Sequence, residues 1–172
     1  MGFFKDRSDY FKSLANKHKL VAHKRIEGKH EKNSFHRMND EEELLAACVN
    51  WAHFPCVVHA GMSGRYTEGK QSLVKRKTTN QLMFLSKVDH PTNMDSREAC
   101  YDLTMEIMED FIAFMLGEFH EKGFCSNFSN IDLNRFSFST VSFNGNLFGW
   151  QLTIEDDAFP DITNSDTSKW FD

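Results

Sequence analysis

The stretch that decides the fold reads DSREACYDLTMEIMEDFIAFMLGEFHEKG and covers residues 95–123. Its apolar residues recur at intervals of three and four, and acidic residues crowd the remaining surface. This spacing is typical of an amphipathic helix that buries one face. Asp95 and Glu98 have the spacing of a capping box, which predicts the first turn, and Gly123 predicts the end. The predicted apolar stripe consists of Leu103, Ile107, Met108, Phe111, Ile112, Met115 and Phe119.

Downstream of this helix the sequence predicts a β-hairpin. Residues 136–143 and 148–154 alternate between apolar and polar side chains, as strands do when one face is buried. Asn144 and Gly145 tolerate the positive φ angles of a tight hairpin turn. The alternation changes phase within the first strand, which predicts a β-bulge near Thr140.

Upstream of the long helix the sequence predicts two shorter helices and a strand meander. The predicted elements are a helix at 9–23, an exposed connection at 27–39, a helix that begins at Asn39 or Asp40 and ends before Pro55, strands at 56–60, 71–76 and 81–88, and a loop at 61–69. Together these elements predict an α+β fold, in which an antiparallel sheet packs against the helix at 95–122 and further helices lie at the N-terminal side.

Charge divides the chain into three predicted regions. Residues 1–37 contain ten basic and four acidic residues, whereas the remainder contains ten basic and 21 acidic ones, so the net charges are +6 and -11. We predict a basic N-terminal helical arm at 1–38, an α+β core at 39–155 and an acidic tail at 156–172. Such a dipolar chain favours an acidic partner or a second copy of itself. Sequence-specific nucleic-acid binding is not expected, because the sequence lacks a helix-turn-helix pattern and a stacking platform.

The sequence also predicts the cellular compartment of the protein and the redox state of its cysteines. No run approaches the roughly 18 apolar residues that span a bilayer, and no signal peptide is recognised, so we expect a cytoplasmic, non-membrane protein. The cysteines Cys48, Cys56, Cys100 and Cys125 are dispersed, so reduced, buried thiols are expected instead of a disulfide framework.

One cluster has the residue types of a metal site. Cys48, His53, Cys56 and His59 lie within twelve residues, and cysteine and histidine are the usual zinc ligands. The spacing argues against a zinc knuckle, because Cys56 and His59 would lie on opposite faces of a strand. Buried thiols and ordinary strand histidines are the competing interpretation, so we expect no metal and no cofactor. The sequence also contains no nucleophile elbow and no phosphate-binding loop, and we expect no catalytic residues and no enzymatic activity.

Two features suggest interaction instead. Residues 61–79 predict a long charged hairpin that projects from the sheet and reaches a neighbour, although a solvated hairpin fits equally well. Trp170 and Phe171 form an apolar pair in a polar tail, which suits docking in a partner's groove or folding back on the chain's own core. The basic residues of the hairpin are Arg65, Lys70, Lys75, Arg76 and Lys77.

The order of these elements carries a family resemblance. The helix, the strand meander, the long helix and the final hairpin resemble the small connector proteins of tailed bacteriophages, notably tail terminator and tail completion proteins. The resemblance covers residues 40–155 and includes the ending NLFGWQLTI at 146–154. The long basic N-terminal segment and the acidic tail depart from the simplest version of that pattern, and they leave open a neck protein, another ring protein or a contractile particle.

The resemblance implies a non-enzymatic virion protein that forms a homo-oligomeric ring and is assembled in the host cytoplasm. Its implied partners are neighbouring tail tube, sheath or connector proteins. Opposite charges at two ends of a subunit favour head-to-tail contacts, and Lys24, Arg25 and Lys29 are the candidate basic contacts of the N-terminal arm. Two other classes stay open: a metal-binding regulator or enzyme that uses the cysteine and histidine cluster, and an intracellular adaptor that binds through Trp170 and Phe171.

Overall fold

A computed structural model describes residues 3–27, 30–38, 42–43, 46, 52–68, 74–122, 128 and 131–158 of the chain. Glu42, Glu43 and Ala46 are helical, and most of the second predicted helix lies outside the described residues. In chain order the other elements are α1 (Phe3–Lys17), β1 (Ile26–Glu27), β2 (His30–Glu31), β3 (Phe35–Arg37), β4 (Cys56–Glu68), β5 (Val74–Lys87), α2 (Met94–Lys122), a 3-10 turn (Leu133–Arg135), β6 (Phe136–Phe143) and β7 (Leu147–Ala158).

Five strands form one mixed sheet in the order β3-β4-β5-β7-β6. The short strand β3 pairs in parallel with β4, and every other neighbouring pair in this sheet is antiparallel. β1 and β2 form a separate two-stranded ribbon. Both α1 and α2 contribute to the core cluster on one face of the five-stranded sheet. The predicted α+β class, with one long helix packed on the sheet and an additional N-terminal helix, is therefore confirmed.

The structure of α2 confirms the predicted apolar stripe, but its N-cap is not the predicted residue. Ile107, Met108, Phe111 and Met115 are buried in the core cluster, and the other three predicted residues pack at its margin. The helix begins at Met94, where the backbone N–H of Ser96 donates to Asn93 Oδ1 at 3.3 Å. The N-cap is therefore Asn93 instead of Asp95, because an asparagine two residues earlier already satisfies the first turn.

The region from Cys56 to Lys87 forms two long strands instead of three short strands and a loop. β4 continues through the predicted loop, with a register shift between His59 and Gly61. Gly61 has a φ of +147°, a conformation that glycine adopts freely. Gly61 thus accompanies a β-bulge inside a continuous strand, in the region predicted as a loop. We call the paired outer halves, residues 61–68 of β4 and 74–81 of β5, the distal ribbon.

The predicted hairpin, formed by β6 and β7, is confirmed, but the prediction of a β-bulge near Thr140 is wrong. Asn144 and Gly145 have positive φ angles of 49° and 71°, as predicted. The register runs without interruption from Phe136 opposite Ile154 to Phe143 opposite Leu147. The phase change has another cause: apolar residues lie against both faces of the sheet at this end, so both faces of β6 carry them.

Two apolar clusters lie on opposite faces of the sheet. The larger cluster joins α1 and α2 to the sheet, and the ring centres of Phe84 and Phe111 lie 5.1 Å apart there. The smaller cluster contains Cys56, Val58 and Leu85, all at most 1% exposed, together with Met38. Cys56 and Cys100 are buried, and Cys48 and Cys125 lie outside the described residues.

The segment predicted as an exposed connection at 27–39 contains β2 and β3, and this prediction is wrong. Phe35 and His36 are buried, and β3 forms one edge of the five-stranded sheet. A three-residue strand is too short for its alternation to be recognised in sequence. His23 fixes the approach to β3, because its Nδ1 accepts the backbone N–H groups of Ser34 and Phe35 at 3.2 and 3.1 Å.

A buried ion pair joins the first helix to the last strand. Arg7 of α1 donates to Asp156 of β7, and both side chains are only 1% exposed. The Arg7 guanidinium also lies 3.6 Å from the centre of the Phe128 ring. Two buried opposite charges stabilise a fold only as a pair, since either one alone would lack compensation. The pair thus fixes α1 against the sheet in one position.

We expect Arg7→Met to lower the free energy of unfolding by about 3 to 5 kcal/mol, because it removes one partner of a buried ion pair. Urea unfolding at pH 7 measures this loss. Lys5→Ala is the matched control: it breaks the exposed ion pair with Asp9 in the same helix and should cost less than about 1 kcal/mol. Equal losses for the two variants would contradict a stabilising role for the buried pair.

Candidate interaction surfaces

The distal ribbon brings together part of the predicted basic set. Arg65 and Lys77 lie directly opposite each other across β4 and β5, and with Glu155 they line a polar depression of about 290 Å³. Neither cation forms an ion pair with another described residue. Like charges directly opposite each other destabilise a strand pair. Glu155 of the same chain offsets part of this repulsion, and an acidic group of a partner would offset more of it.

The other basic residues of the hairpin are used differently. Lys75 Nζ and Arg135 Nη1 lie 2.6 and 2.9 Å from Asp157 Oδ2. Burial acts to raise the pKa of Asp157, but hydrogen bonds from Lys75 and Arg135 outweigh it and lower the pKa below its ordinary value. Arg76 is half-buried and alternates to the other face of the sheet, and Lys70 lies outside the described residues. The hairpin therefore does not present one continuous basic surface.

The basic candidates of the N-terminal segment are separated in the same way. Lys24 Nζ lies 2.9 Å from Glu31 Oε2, so its charge is compensated within the β1-β2 region. Arg25 is exposed. Lys29, Trp170 and Phe171 lie outside the described residues, so their predicted contacts are not placed by the structure.

The predicted cysteine and histidine cluster is dispersed over the sheet. Cys56 lies in the smaller apolar cluster, whereas the His59 ring packs 5.2 Å from the Phe11 ring on the other face, as predicted. His53 is exposed, and its Nδ1 accepts the backbone N–H of Asn33 at 3.0 Å. Cys48 lies outside the described residues. Within the ranges that the structure describes, no three histidine, cysteine or acidic residues are grouped to hold a metal ion.

Three buried histidines have a common electrostatic environment. His23, His36 and His59 are at most 4% exposed. Burial disfavours the imidazolium ion and lowers the pKa of each ring to about 4. The positive charges of Lys12 and Lys24 lower the pKa of His23 further, and the charge of Arg37 does the same for His59. All three rings are therefore neutral at pH 7 and belong to the folded core.

The outer edge of β6 is a candidate interaction surface that sequence reasoning missed. β6 has eight residues, reads FSFSTVSF and contains no charge, no proline and no bulge. It pairs only with β7 in the described part of the chain, and its Phe138 side chain is 57% exposed. Sheet edges are usually protected by charges, prolines or bulges, because their free N–H and C=O groups can pair with another chain. β6 has none of these protections.

A second free edge lies at the other side of the same sheet. β3 covers β4 only from Val57 to His59, so residues 61–68 of β4 pair with β5 alone in the described part. Because β4, β5, β7 and β6 alternate in direction, the two free edges run antiparallel to each other. The sheet thus has two complementary open edges.

Comparisons with known proteins gave no relative. No family model matches the chain, and no curated protein and no solved structure is significantly similar to it. No helix within the described ranges combines the length and the apolar character that crossing a membrane requires.

Proposed function

We propose that the protein is a non-enzymatic assembly protein whose copies join into a ring through the edges of their sheets. The observation that carries the proposal is the unprotected edge of β6 together with the free outer half of β4. Strand addition to an open edge supplies affinity through main-chain hydrogen bonds, and the side chains supply specificity. This mode of contact requires neither a cofactor nor a catalytic group.

The directions of the two edges favour one arrangement of copies. β6 of one copy can pair with residues 61–68 of the next copy as antiparallel strands while both sheets keep the same orientation. Such a contact uses two different surfaces and repeats in the same sense from copy to copy. Heterologous contacts of this kind generate a closed ring when the rotation between copies closes. The distal ribbon then contacts the neighbouring subunit.

The specific ring that we propose is a tail terminator or a head-tail connector (neck) of a tailed bacteriophage or a related contractile particle. The order of elements supports this assignment: strands β4 and β5, the long helix α2 and the terminal hairpin follow one another as in those proteins. In the virion, the ring would contact tail tube, sheath or connector proteins. Arg65 and Lys77, which form no ion pair with another described residue, provide a site for an acidic surface of such a neighbour.

We expect light scattering of the purified protein to give a mass several times that of the 20.0 kDa chain, with growth at higher concentration. Negative-stain images of the same fractions should show rings of one diameter. Ser137→Lys with Ser139→Lys should reduce the mass to that of a monomer, because charges on an edge strand oppose strand addition. Both serines are exposed, so the fold should be retained, as circular dichroism would show.

Ala113→Lys is the matched control for added charge, since Ala113 is exposed on α2 and distant in sequence from both edges. This variant should keep the oligomeric mass. An unchanged mass in the β6 double variant would contradict edge pairing. A wild-type protein that stays monomeric at all concentrations and salt strengths would contradict self-assembly itself. Charge reversal at Lys24, Arg25 and Lys29 tests separately whether the N-terminal segment contributes.

A further inference from the structure

An apolar groove lies between the end of α1 and the middle of α2, on the helical side of the molecule. It has a volume of about 580 Å³. Its floor is formed by Leu14 and Phe111, which are buried, and its borders by Leu20 and Phe114, which are 39% and 42% exposed. Volumes of a few hundred Å³ with mainly apolar walls are typical of ligand sites. We call this feature the α1-α2 groove.

The rim of the α1-α2 groove carries charges of both signs. Lys17 and Lys19 lie on the α1 side, and Glu106 and Asp110 lie on the α2 side. Lys17 Nζ is 5.3 Å from the centre of the Phe114 ring, so a cation already borders the apolar wall. His18 Nε2 is 3.1 Å from Asp110 Oδ2 and holds the two sides together. The groove therefore suits an apolar group flanked by one cation and one anion.

One segment of the chain has this chemistry. Residues 169–172 read Lys-Trp-Phe-Asp, so an aromatic pair stands between a cation and an anion. Lys169 matches the acidic side of the rim, and Asp172 matches the lysine side. Aromatic side chains bury the largest apolar area of any residue, which makes them effective anchors in such a groove.

The chain is long enough to place this segment in the groove. Trp170 lies twelve positions beyond Ala158, the last described residue. An extended chain of that length spans up to about 40 Å. A domain of this size has a radius of gyration of about 16 Å, so the segment can reach a large part of the surface of its own domain or of a neighbouring one.

We propose that the α1-α2 groove binds Trp170 and Phe171, with Lys169 and Asp172 paired to the two sides of its rim. The contact does not depend on ring formation through the sheet edges. Binding of the aromatic pair would cover the apolar surface that Leu20 and Phe114 expose at the groove borders. The acidic segment thereby returns to the basic end of α1.

The test uses a fluorescein-labelled peptide of residues 166–172, DTSKWFD, and the full chain. The receptor carries Trp170→Ala and Phe171→Ala, so that its own segment does not compete. We expect fluorescence anisotropy to show saturable binding. Adding Phe114→Glu or, in a separate chain, Leu20→Glu should weaken binding by about tenfold or more, because each places a charge in the apolar wall. Two separate groove variants keep the test usable if one of them fails to fold.

Leu133→Glu is the matched control, because Leu133 is 69% exposed and does not line the groove. This variant should bind the peptide as the receptor does. The unaltered chain should bind it more weakly, since its own Trp170 and Phe171 occupy the groove. Competition that is independent of protein concentration indicates binding within one chain, and competition that grows with concentration indicates a neighbouring copy. Absence of binding to the receptor, or equal binding by folded groove variants, would overturn the proposal and leave edge assembly unaffected.

Discussion

Gly149→Ala should prevent the chain from folding or lower its free energy of unfolding by more than about 4 kcal/mol. Gly149 lies in β7, opposite Leu85 of β5. A Cβ atom at this position would lie 1.8 Å from the backbone oxygen of Phe84, far inside contact distance. A backbone atom in the middle of a sheet has no rotamer with which to escape. The two central strands would have to separate, and both apolar clusters depend on them.

Gly117→Ala is the matched control for this substitution. Gly117 lies within α2, and an added Cβ would meet no atom within 4 Å beyond its chain neighbours and the backbone of its own helix. Alanine is favoured over glycine inside a helix by about 1 kcal/mol, so this variant should be as stable as the parent or more stable. Urea unfolding followed by circular dichroism measures both changes. A Gly149→Ala protein with normal stability would show that β5 and β7 do not approach as closely as described.

Acid should unfold the protein between pH 6.5 and pH 4. The pKa values of His23, His36 and His59 are lowered to about 4 by burial, whereas a histidine in the unfolded chain has its ordinary pKa of 6.5. The unfolded chain therefore binds more protons in this window, and stability falls as the pH falls. The contribution of each histidine is complete above pH 6.5 and is lost progressively toward pH 4. Within the window, each costs about 1.4 kcal/mol per pH unit.

The measurement is the free energy of unfolding in urea at several values between pH 7.5 and 4.5. His59→Gln removes one of the three titrations and should reduce the slope with pH by roughly one proton. His90→Gln, at an exposed position in the loop before α2, is the matched loss of an imidazole from the surface. A slope that His59→Gln does not alter would mean that His59 is protonated equally in the folded and unfolded chains.

Local signals allowed the long helix and the terminal hairpin to be predicted. The apolar stripe of α2 consists of seven residues on one helix face, and Asn144 and Gly145 favour the turn of the hairpin. Both patterns are therefore complete within a short stretch of sequence. The same reasoning failed where a pattern was short or ambiguous. β3 has only three residues, and Gly61 marks a bulge in β4 although glycine more often marks a turn.

Features that depend on distant pairing could not be predicted from sequence. The FSFSTVSF segment was recognised as a strand, but its position at an edge depends on which strands lie beside it. Arg7 contributed to the basic charge of the N-terminal segment, yet the fold buries it beside Asp156. The α1-α2 groove combines the end of one helix with the middle of another, so Leu20 and Phe114 have no shared local signal.

The Arg7-Asp156 pair also has a consequence for synthesis on the ribosome. Its two residues are 149 positions apart, so the first helix is made long before its partner exists. At the usual rates of translation the interval is roughly ten to thirty seconds. Throughout that time α1 lacks the β7 carboxylate, and until α2 is synthesised it also lacks the apolar surface of that helix. The nascent chain therefore completes its core only when the last strand leaves the exit tunnel, and chaperones that cover exposed apolar helices can act throughout this interval.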